Sequence, residues 1–206
     1  MSIKKGLNKF WDIVWRDESP KGWLITLVFI FVVIKFVFLP LLSLSTGTVL
    51  PLAIVESCSM YHEGNFFSDY DEWWEHSSSK YSPFGIDKEE FKKFIFKDGF
   101  NKGDILFILG TKPEKLKIGD TIIFNAGQRN PVIHRIIKIN EVDGEYIFST
   151  IGDHNSGQLQ EEISINENQI VGRAAFKLAP YIGWGKLIFF EYKQPQINKG
   201  FCDRNY

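Results

Sequence analysis

A long apolar run dominates the N-terminal part of the chain. It extends from Trp23 to Leu44, reads WLITLVFIFVVIKFVFLPLLSL and contains one charged residue, Lys35. As an α-helix it would extend for roughly 33 Å at about 1.5 Å per residue, close to the thickness of the hydrocarbon core of a bilayer. The pattern predicts a transmembrane helix over residues 23–44, with Lys35 reaching toward an interface and Pro40 near one end, where a kink is tolerated.

Charged residues flank this run unevenly. The basic residues before it are Lys4, Lys5, Lys9, Arg16 and Lys21, and the next basic residue after it is Lys80. Because positively charged flanks favour the cytoplasmic side, residues 1–22 are predicted to form a cytoplasmic segment. The chain beyond is predicted to lie outside, with an extracytoplasmic domain over 45–192 and a polar tail over 193–206.

Short β-branched and aromatic runs follow one another from Lys102 onward. They read GDILFIL, GDTIIFN, PVIHRIIKI, EYIFSTI and QIVGRAAFKL, with turn-forming segments between them. Asp143–Gly144 is a hairpin signal between two of these runs. Earlier in the chain, PLAIVESCSMYH is typical of a strand followed by a turn. The predicted fold class is mainly β: a small antiparallel domain that follows an N-terminal transmembrane helix.

Residues 61–100 form an aromatic-rich insertion in this β pattern. Two segments, DEWWEHSSS and DKEEFKKFIF, are predicted to form short helices, the second of them capped by Asp87. The insertion has two interpretations. It is either a lid or membrane-contacting rim, in which Trp73 and Trp74 lie at an interface, or an accessory subdomain packed on the β domain.

Composition narrows the classes of function. The 24 basic and 25 acidic residues give a net charge of -1, which argues against a nucleic-acid binder driven by bulk charge. Two cysteines, Cys58 and Cys202, are too few for a disulfide scaffold and lack metal-binding spacing, so no metal or cofactor is predicted and the role of Cys58 stays open. Of the four histidines, His62 and His76 lie in the insertion and are predicted to be at the surface.

Three short segments carry side chains suited to acyl transfer. SCSM (57–60) closes an apolar strand, His134 lies among apolar β residues, and Asp153 follows a glycine in a turn. A serine nucleophile requires a base within hydrogen-bonding reach, a group that orients the base, and donors for the oxyanion. Taken alone, the SCSM segment is more typical of an ordinary turn, the histidine of a structural residue, and the Gly-Asp pair of an Asx turn.

The order of these segments resembles signal peptidase I, and more narrowly its archaeal and endoplasmic-reticulum branch, in which His replaces Lys as the base. The shared features are a Ser-Met pair after a membrane span, two Gly-Asp turns that each precede an apolar strand, the His134-Arg135 strand and the GDHN turn. GRAAFKLAPYIGW also resembles the last strand of the family. The resemblance covers roughly residues 23–60 and 101–185.

This resemblance implies a serine endopeptidase in which an extended substrate pairs with a strand edge. It implies Ser59 as the nucleophile, His134 as the general base and Asp153 as the carboxylate that orients the base. Ser57 and the backbone N–H of Ser59 are the implied oxyanion hole.

The chain departs from the family pattern in three places. YHEG follows Ser-Met, about forty residues separate Ser-Met from the first Gly-Asp strand, and Leu159 stands where many relatives have a second Asp. The nearest acids to that position are Glu161 and Glu162, so the orienting carboxylate is either Asp153 or one of these two.

The function that the resemblance implies is removal of signal peptides from translocated preproteins. The enzyme would be single-pass in the cell membrane, with its N-terminus in the cytoplasm and its catalytic domain outside. Its expected partners are preproteins, the lipid bilayer and the protein translocation machinery, without nucleic acid. The alternative is a catalytically inactive, membrane-anchored binding module on the same β scaffold.

Overall fold

The computed structural model describes residues 3–62, 70–128, 130–193 and 199–202. The chain forms two compact units that divide after Ser45. The predicted fold class is confirmed: an N-terminal unit with the apolar helix is followed by a unit built on an antiparallel sheet with a partly helical insertion.

The N-terminal unit consists of two helices. The first, α1, spans Ile3–Arg16, and the second continues from Pro20 to Thr46 as α2 (Pro20–Val33), a π-helical turn (Ile34–Phe38) and α3 (Leu39–Thr46). Ser19 caps the second helix, since its hydroxyl accepts a hydrogen bond from Gly22 N at 3.1 Å. By length and composition, the continuous helix is a candidate to cross a membrane.

The π-helical turn lies directly before Pro40, which has no N–H to donate. Leu39 N donates to Ile34 O, five residues earlier, so the helix is wider at this point. Lys35 lies in this turn with its Nζ 5.6 Å from the ring centre of Phe31. Pro40 therefore lies inside a continuous helix, which accommodates it by a local change of hydrogen bonding.

In the part of the chain that the structure describes, seven strands form one antiparallel sheet in the order β1-β2-β7-β3-β4-β5-β6. They are β1 (Leu52–Ile54), β2 (Ile105–Leu109), β3 (Thr121–Phe124), β4 (Val132–Val142), β5 (Glu145–Ile151), β6 (Ile165–Asn166) and β7 (Ile170–Ala179). The five runs predicted from Lys102 onward form β2, β3, β4, β5 and β7, and PLAIVESCSMYH forms β1 and a turn. The pattern does not predict β6, because two residues are too few to show alternation.

The hairpin of β4 and β5 has Asp143–Gly144 as its two-residue connection, as predicted. Val142 pairs with Glu145, and both connecting residues have positive φ, 54° and 84°. This left-handed conformation is the one that Asp and Gly tolerate in tight hairpins. The hairpin positions the candidate site, because β4 carries His134 and β5 leads into the turn with Asp153.

The insertion contains α4 (Tyr70–Tyr81) and α5 (Lys88–Phe91), and its residues 63–69 lie outside the described residues. Asp87 caps α5 as predicted, since its Oδ1 accepts a hydrogen bond from Glu90 N at 2.8 Å. The remaining short helices are α6 (Trp184–Leu187) and 3-10 turns at Ser82–Phe84, Pro113–Lys115, Gln160–Glu162, Glu167–Gln169 and Glu191–Lys193.

Aromatic residues of the insertion pack against the sheet. The buried cluster consists of Trp73, Trp74, Tyr81, Ile86 and Phe91 together with Ile137 of β4 and Ile151 of β5. Trp73 and Trp74 are only 6% and 8% exposed, which argues against the interpretation that places them at a membrane interface. Packing removes these large apolar rings from water, and the insertion is an accessory subdomain on the β domain.

Candidate active site

The turn after β1 presents Ser59. Tyr61 N donates to Cys58 O at 2.9 Å, which closes a turn with Ser59 as its second residue. The hydroxyl groups of Ser57 and Ser59 are 3.1 Å apart, Ser57 being exposed and Ser59 half-buried. Two hydroxyl groups therefore lie at the surface of the domain, directly beyond an edge strand.

Strand β4 brings His134 to this turn. β4 pairs with β3, with His134 opposite Ile122. The Nε2 atom of His134 lies 2.8 Å from Ser59 Oγ, and the imidazole is buried. The two side chains satisfy the distance that a nucleophile and its base require.

Glu162 lies on the other side of the His134 ring. Its Oε1 contacts His134 Nδ1, and the carboxylate is buried. Thr150 Oγ1 donates to Glu162 Oε1 at 3.1 Å, and Leu159 N donates to Oε2 at 2.8 Å. Because a carboxylate accepts hydrogen bonds, it favours a proton on Nδ1 and leaves the Nε2 lone pair to face the Ser59 hydroxyl.

Asp153 lies in a separate, buried ion pair. Its carboxylate accepts hydrogen bonds from Arg135 Nε (2.9 Å), Arg135 Nη2 (2.6 Å) and the Tyr81 hydroxyl (2.8 Å), and lies 2.8 Å from His62 Nε2. Within the described chain, His134 is not among its partners. The structure therefore directs Asp153 to Arg135, away from the candidate base.

The predicted site residues thus fall into two groups. Ser57, Ser59 and His134 lie together, and Asp153 lies apart from them. Of the two alternative carboxylates, Glu162 contacts the imidazole, whereas Glu161 is exposed. Over the described ranges, no group of three His, Cys, Asp or Glu side chains is placed to hold a metal ion.

Sequence reasoning missed the residues around Asp153. His62 is 3% exposed, so its predicted surface position is wrong, whereas His76 is exposed as predicted. The His62 ring stacks on Trp73 with 3.7 Å between ring centres. The aromatic-rich composition of the insertion is the one sequence signal that could have indicated the burial of His62. A histidine ring buried among aromatic side chains then requires a hydrogen-bonding partner.

Burial and charge oppose each other at Asp153. Burial by itself raises the pKa of a carboxyl group, but the Arg135 guanidinium and the hydrogen bond from His62 hold the pKa of Asp153 far below its usual range. Burial lowers the pKa of His62 against the opposing effect of Asp153, so this imidazole is neutral near pH 7. Burial also raises the pKa of Tyr81, whose hydroxyl therefore remains a donor.

Acid is expected to destabilise this cluster in two stages. Unfolded His and Asp titrate at about 6.5 and 3.9. Because folded His62 has a lower pKa, the unfolded chain binds more protons, and the free energy of unfolding falls as the pH drops below about 6.5. Asp153 adds a second loss below about pH 4 for the same reason. Urea unfolding at several pH values measures both stages; a free energy of unfolding that stays constant from about pH 7 to 4 would contradict the burial of His62.

Gly152 allows Ser59 and His134 to approach the turn that follows β5. A Cβ atom at this position would lie 2.8 Å from both His134 Nε2 and Ser59 O. His154 N, in the same turn, donates to Ser59 O at 2.8 Å. A side chain at Gly152 therefore requires a shift of these atoms, of Asn155 Nδ2 at 2.7 Å, or of the glycine backbone itself.

Gly152→Ala is expected to lower the kcat of a Ser59-dependent reaction by about 100-fold, since a displacement on the order of 1 Å has this effect in preorganised sites. Gly157→Ala is the matched control, because a Cβ there meets no atom within 4 Å. Steady-state kinetics of both variants make the comparison. Equal kcat values would show that close packing at Gly152 does not matter.

A disulfide joins Cys58 to Cys202, which are 144 positions apart. Cys58 lies between Ser57 and Ser59, so the bond ties segment 199–202 to the turn that carries the candidate nucleophile. The small number of cysteines gives no indication of this pairing, which depends on the tertiary structure.

Replacing both cysteines with alanine is expected to lower the free energy of unfolding by about 2–5 kcal/mol, since the bond closes a long loop of the unfolded chain. Chemical denaturation with and without a thiol reductant measures the effect. The reductant should destabilise the wild type and leave the double variant unchanged. A wild type that is insensitive to complete reduction would contradict a stabilising role.

The chain therefore contains a small antiparallel β domain. In this domain a serine in the turn after β1 and a histidine on β4 are in hydrogen-bonding contact. Signal peptidase complex catalytic subunit SEC11C of Homo sapiens is 33% identical to this chain over 100 residues, which is 45% of this chain and 52% of the relative. The SEC11C subunit of Canis lupus familiaris shows the same values. The catalytic subunit SEC11 of Scheffersomyces stipitis is 33% identical over 58 residues, or 28% of this chain and 34% of the relative.

The predicted resemblance to the archaeal and endoplasmic-reticulum type of signal peptidase I is confirmed by these relatives. Its extent is partial, since the chain spans about half the length of the SEC11C subunits it matches. No protein-family model matches the chain.

Proposed function

We propose that this chain is a membrane-bound serine endopeptidase of the signal peptidase I type, which removes signal peptides from translocated preproteins. The observation that supports the proposal most directly is the series Ser59, His134 and Glu162. Nε2 of His134 lies 2.8 Å from the serine hydroxyl, and Nδ1 contacts the carboxylate. The similarity to signal peptidase complex catalytic subunits supports the choice of substrate.

His134 acts first as the general base. It takes the Ser59 proton at Nε2 while the hydroxyl oxygen attacks the carbonyl carbon of the substrate. Glu162 has the orienting role that the resemblance assigns to Asp153, since it holds the Nδ1 proton and stabilises the imidazolium. His134 then protonates the leaving amine, and water releases the signal peptide from the acyl-enzyme.

Two donors in the nucleophile turn are proposed to stabilise the oxyanion. They are the backbone N–H of Ser59 and the hydroxyl of Ser57, which lies 3.1 Å from Ser59 Oγ. Strand β1 lies at the edge of the sheet and ends shortly before this turn. An extended substrate segment that pairs with this edge would lead directly to the hydroxyl of Ser59.

The helix Pro20–Thr46 is proposed to anchor the enzyme in the cell membrane, with the N-terminus in the cytoplasm and the catalytic unit outside. Anchoring in the same bilayer as the signal segment raises the effective concentration of the substrate, so the bilayer is a functional partner, together with the translocation machinery. The disulfide between Cys58 and Cys202 supports an oxidising compartment for the catalytic unit.

The test uses the full chain in liposomes and a membrane-inserted preprotein that has small side chains just before the expected cleavage site. Cleavage of this preprotein is measured. Ser59→Ala is expected to abolish cleavage, whereas Ser156→Ala, at an exposed position, serves as the matched control and should retain it. Binding of the preprotein without cleavage by the wild type would favour the inactive binding module.

A further inference from the structure

A second pair of histidine and carboxylate lies near the candidate active site. His62 Nε2 is 2.8 Å from Asp153 Oδ2, and both side chains are buried. His62 follows Ser59 by three positions, in the same segment. The proposed mechanism gives this pair no chemical step, so its burial requires another explanation.

The Asp153 carboxylate joins the two elements that carry the reacting groups. One of its partners, His62, extends from the nucleophile segment, and another, Arg135, directly follows His134 on β4. Arg135 binds both carboxylate oxygens, at 2.9 and 2.6 Å. A displacement of either partner would therefore change the position of Ser59 relative to His134.

Backbone contacts link the same elements. His154 N donates to Ser59 O at 2.8 Å, which is one connection between the nucleophile turn and the turn over 152–155. Lys80 Nζ, from the insertion, contacts the carbonyl oxygens of Asp153 and Asn155. Asp153 N also donates to Met60 Sδ at 3.4 Å, so the hydrogen bond of His62 adds to two backbone connections between the nucleophile segment and this turn.

We propose that His62 is a positioning residue for Ser59 and His134, and that it acts through Asp153. The inference deepens the proposed function and rests on it. The imidazole stacks on Trp73 of α4, so the insertion contributes to holding His62 in place.

The proposed positioning role of His62 depends on its hydrogen bond with Asp153. Without a donor at this position, Asp153 Oδ2 retains only Arg135 Nη2 among the side-chain donors described, and the nucleophile segment loses its connection to the carboxylate. Because a productive constellation must be held within about 0.5 Å, the alignment of Ser59 with His134 deteriorates. His62 is only 3% exposed and so is not available to contact a substrate, and substrate binding should be unaffected.

Two substitutions separate the hydrogen bond from the packing. His62→Phe preserves an aromatic ring that stacks on Trp73 and removes the donor, whereas His62→Gln preserves a donor and removes the ring. His62→Phe is expected to lower kcat by about 10- to 100-fold with KM unchanged, and His62→Gln to recover most of that loss. His76→Phe, in the exposed part of the insertion, is the matched control.

The kinetic comparison is made per folded molecule, at a temperature where circular dichroism shows each variant to be fully folded. A purely structural His62 would give the opposite order, with His62→Phe active and His62→Gln impaired in proportion to its lost stability. That order would overturn the inference. Equal kcat values for His62→Phe, His62→Gln and His76→Phe would overturn it as well.

A second readout does not depend on cleavage. In ¹H–¹⁵N NMR spectra, the His134 ring resonances are expected to shift in His62→Phe and to return toward their wild-type positions in His62→Gln. Unchanged His134 resonances in His62→Phe would overturn the positioning role. A wild type that cleaves no preprotein would instead contradict the proposed function, and the NMR comparison would still decide whether His62 positions His134.

Discussion

Glu162→Gln is expected to lower kcat by roughly 10³- to 10⁴-fold, as the corresponding change does in serine proteases of other folds. The carboxylate of Glu162 contacts His134 Nδ1 and is held in place by Thr150 Oγ1 and Leu159 N. An amide can present its NH₂ group to Nδ1, which favours the tautomer with the proton on Nε2. In that tautomer His134 cannot accept the proton of Ser59.

Glu161→Gln is the matched control, because the neighbouring carboxylate is exposed and should affect kcat little. Cleavage kinetics at saturating preprotein measure kcat for both variants, and KM should remain close to wild type. A Glu162→Gln enzyme with wild-type kcat would contradict the orienting role of this residue. A comparable loss in Glu161→Gln would show that the effect is general to the acidic turn.

Arg135→Met is expected to lower the free energy of unfolding by about 3–5 kcal/mol, because it leaves a buried carboxylate without its charged partner. Arg135 and Asp153 are both completely buried. The guanidinium also donates to the carbonyl oxygens of Ile95, Phe96 and Gly119, which join the insertion to the sheet. Its central carbon lies 4.7 Å from the ring centre of Phe91, so packing is lost as well.

Arg173→Met provides the matched control for this change. Arg173 pairs with Asp120 at 3.1 Å, and the two side chains are 31% and 11% exposed, whereas Arg135 and Asp153 are fully buried, so the expected cost is smaller than for Arg135→Met. Urea denaturation of the two variants compares the pairs directly. An equal decrease in the free energy of unfolding for Arg135→Met and Arg173→Met would contradict the claim that burial makes the loss of the Arg135 pair more costly.

Local patterns predicted those parts of the fold that depend on neighbouring residues. The β4–β5 hairpin follows from two alternating runs around Asp143–Gly144, and α5 follows from the cap at Asp87. The same is true of the apolar helix, whose length and composition are read directly from the sequence. In each case the residues that determine the structure lie within a few positions of one another.

The carboxylate and the buried cluster could not be predicted in this way. Glu162 reaches His134 because the chain folds back after β5 into a 3-10 turn, and no local pattern specifies which of several nearby acids turns inward. The burial of His62 depends on a tertiary contact with Asp153, and the disulfide of Cys58 depends on the position of the C-terminal segment. Resemblance located the Asp153 turn and left the choice of carboxylate open.

The acyl-enzyme tests the central claim most directly. Rapid quenching of the liposome-reconstituted chain with a preprotein, followed by mass spectrometry of its peptides, is expected to show the signal peptide attached through an ester to Ser59. Ser59→Ala should show neither the adduct nor the mature product. Cleavage that persists in Ser59→Ala, or an adduct on another residue, would contradict the account.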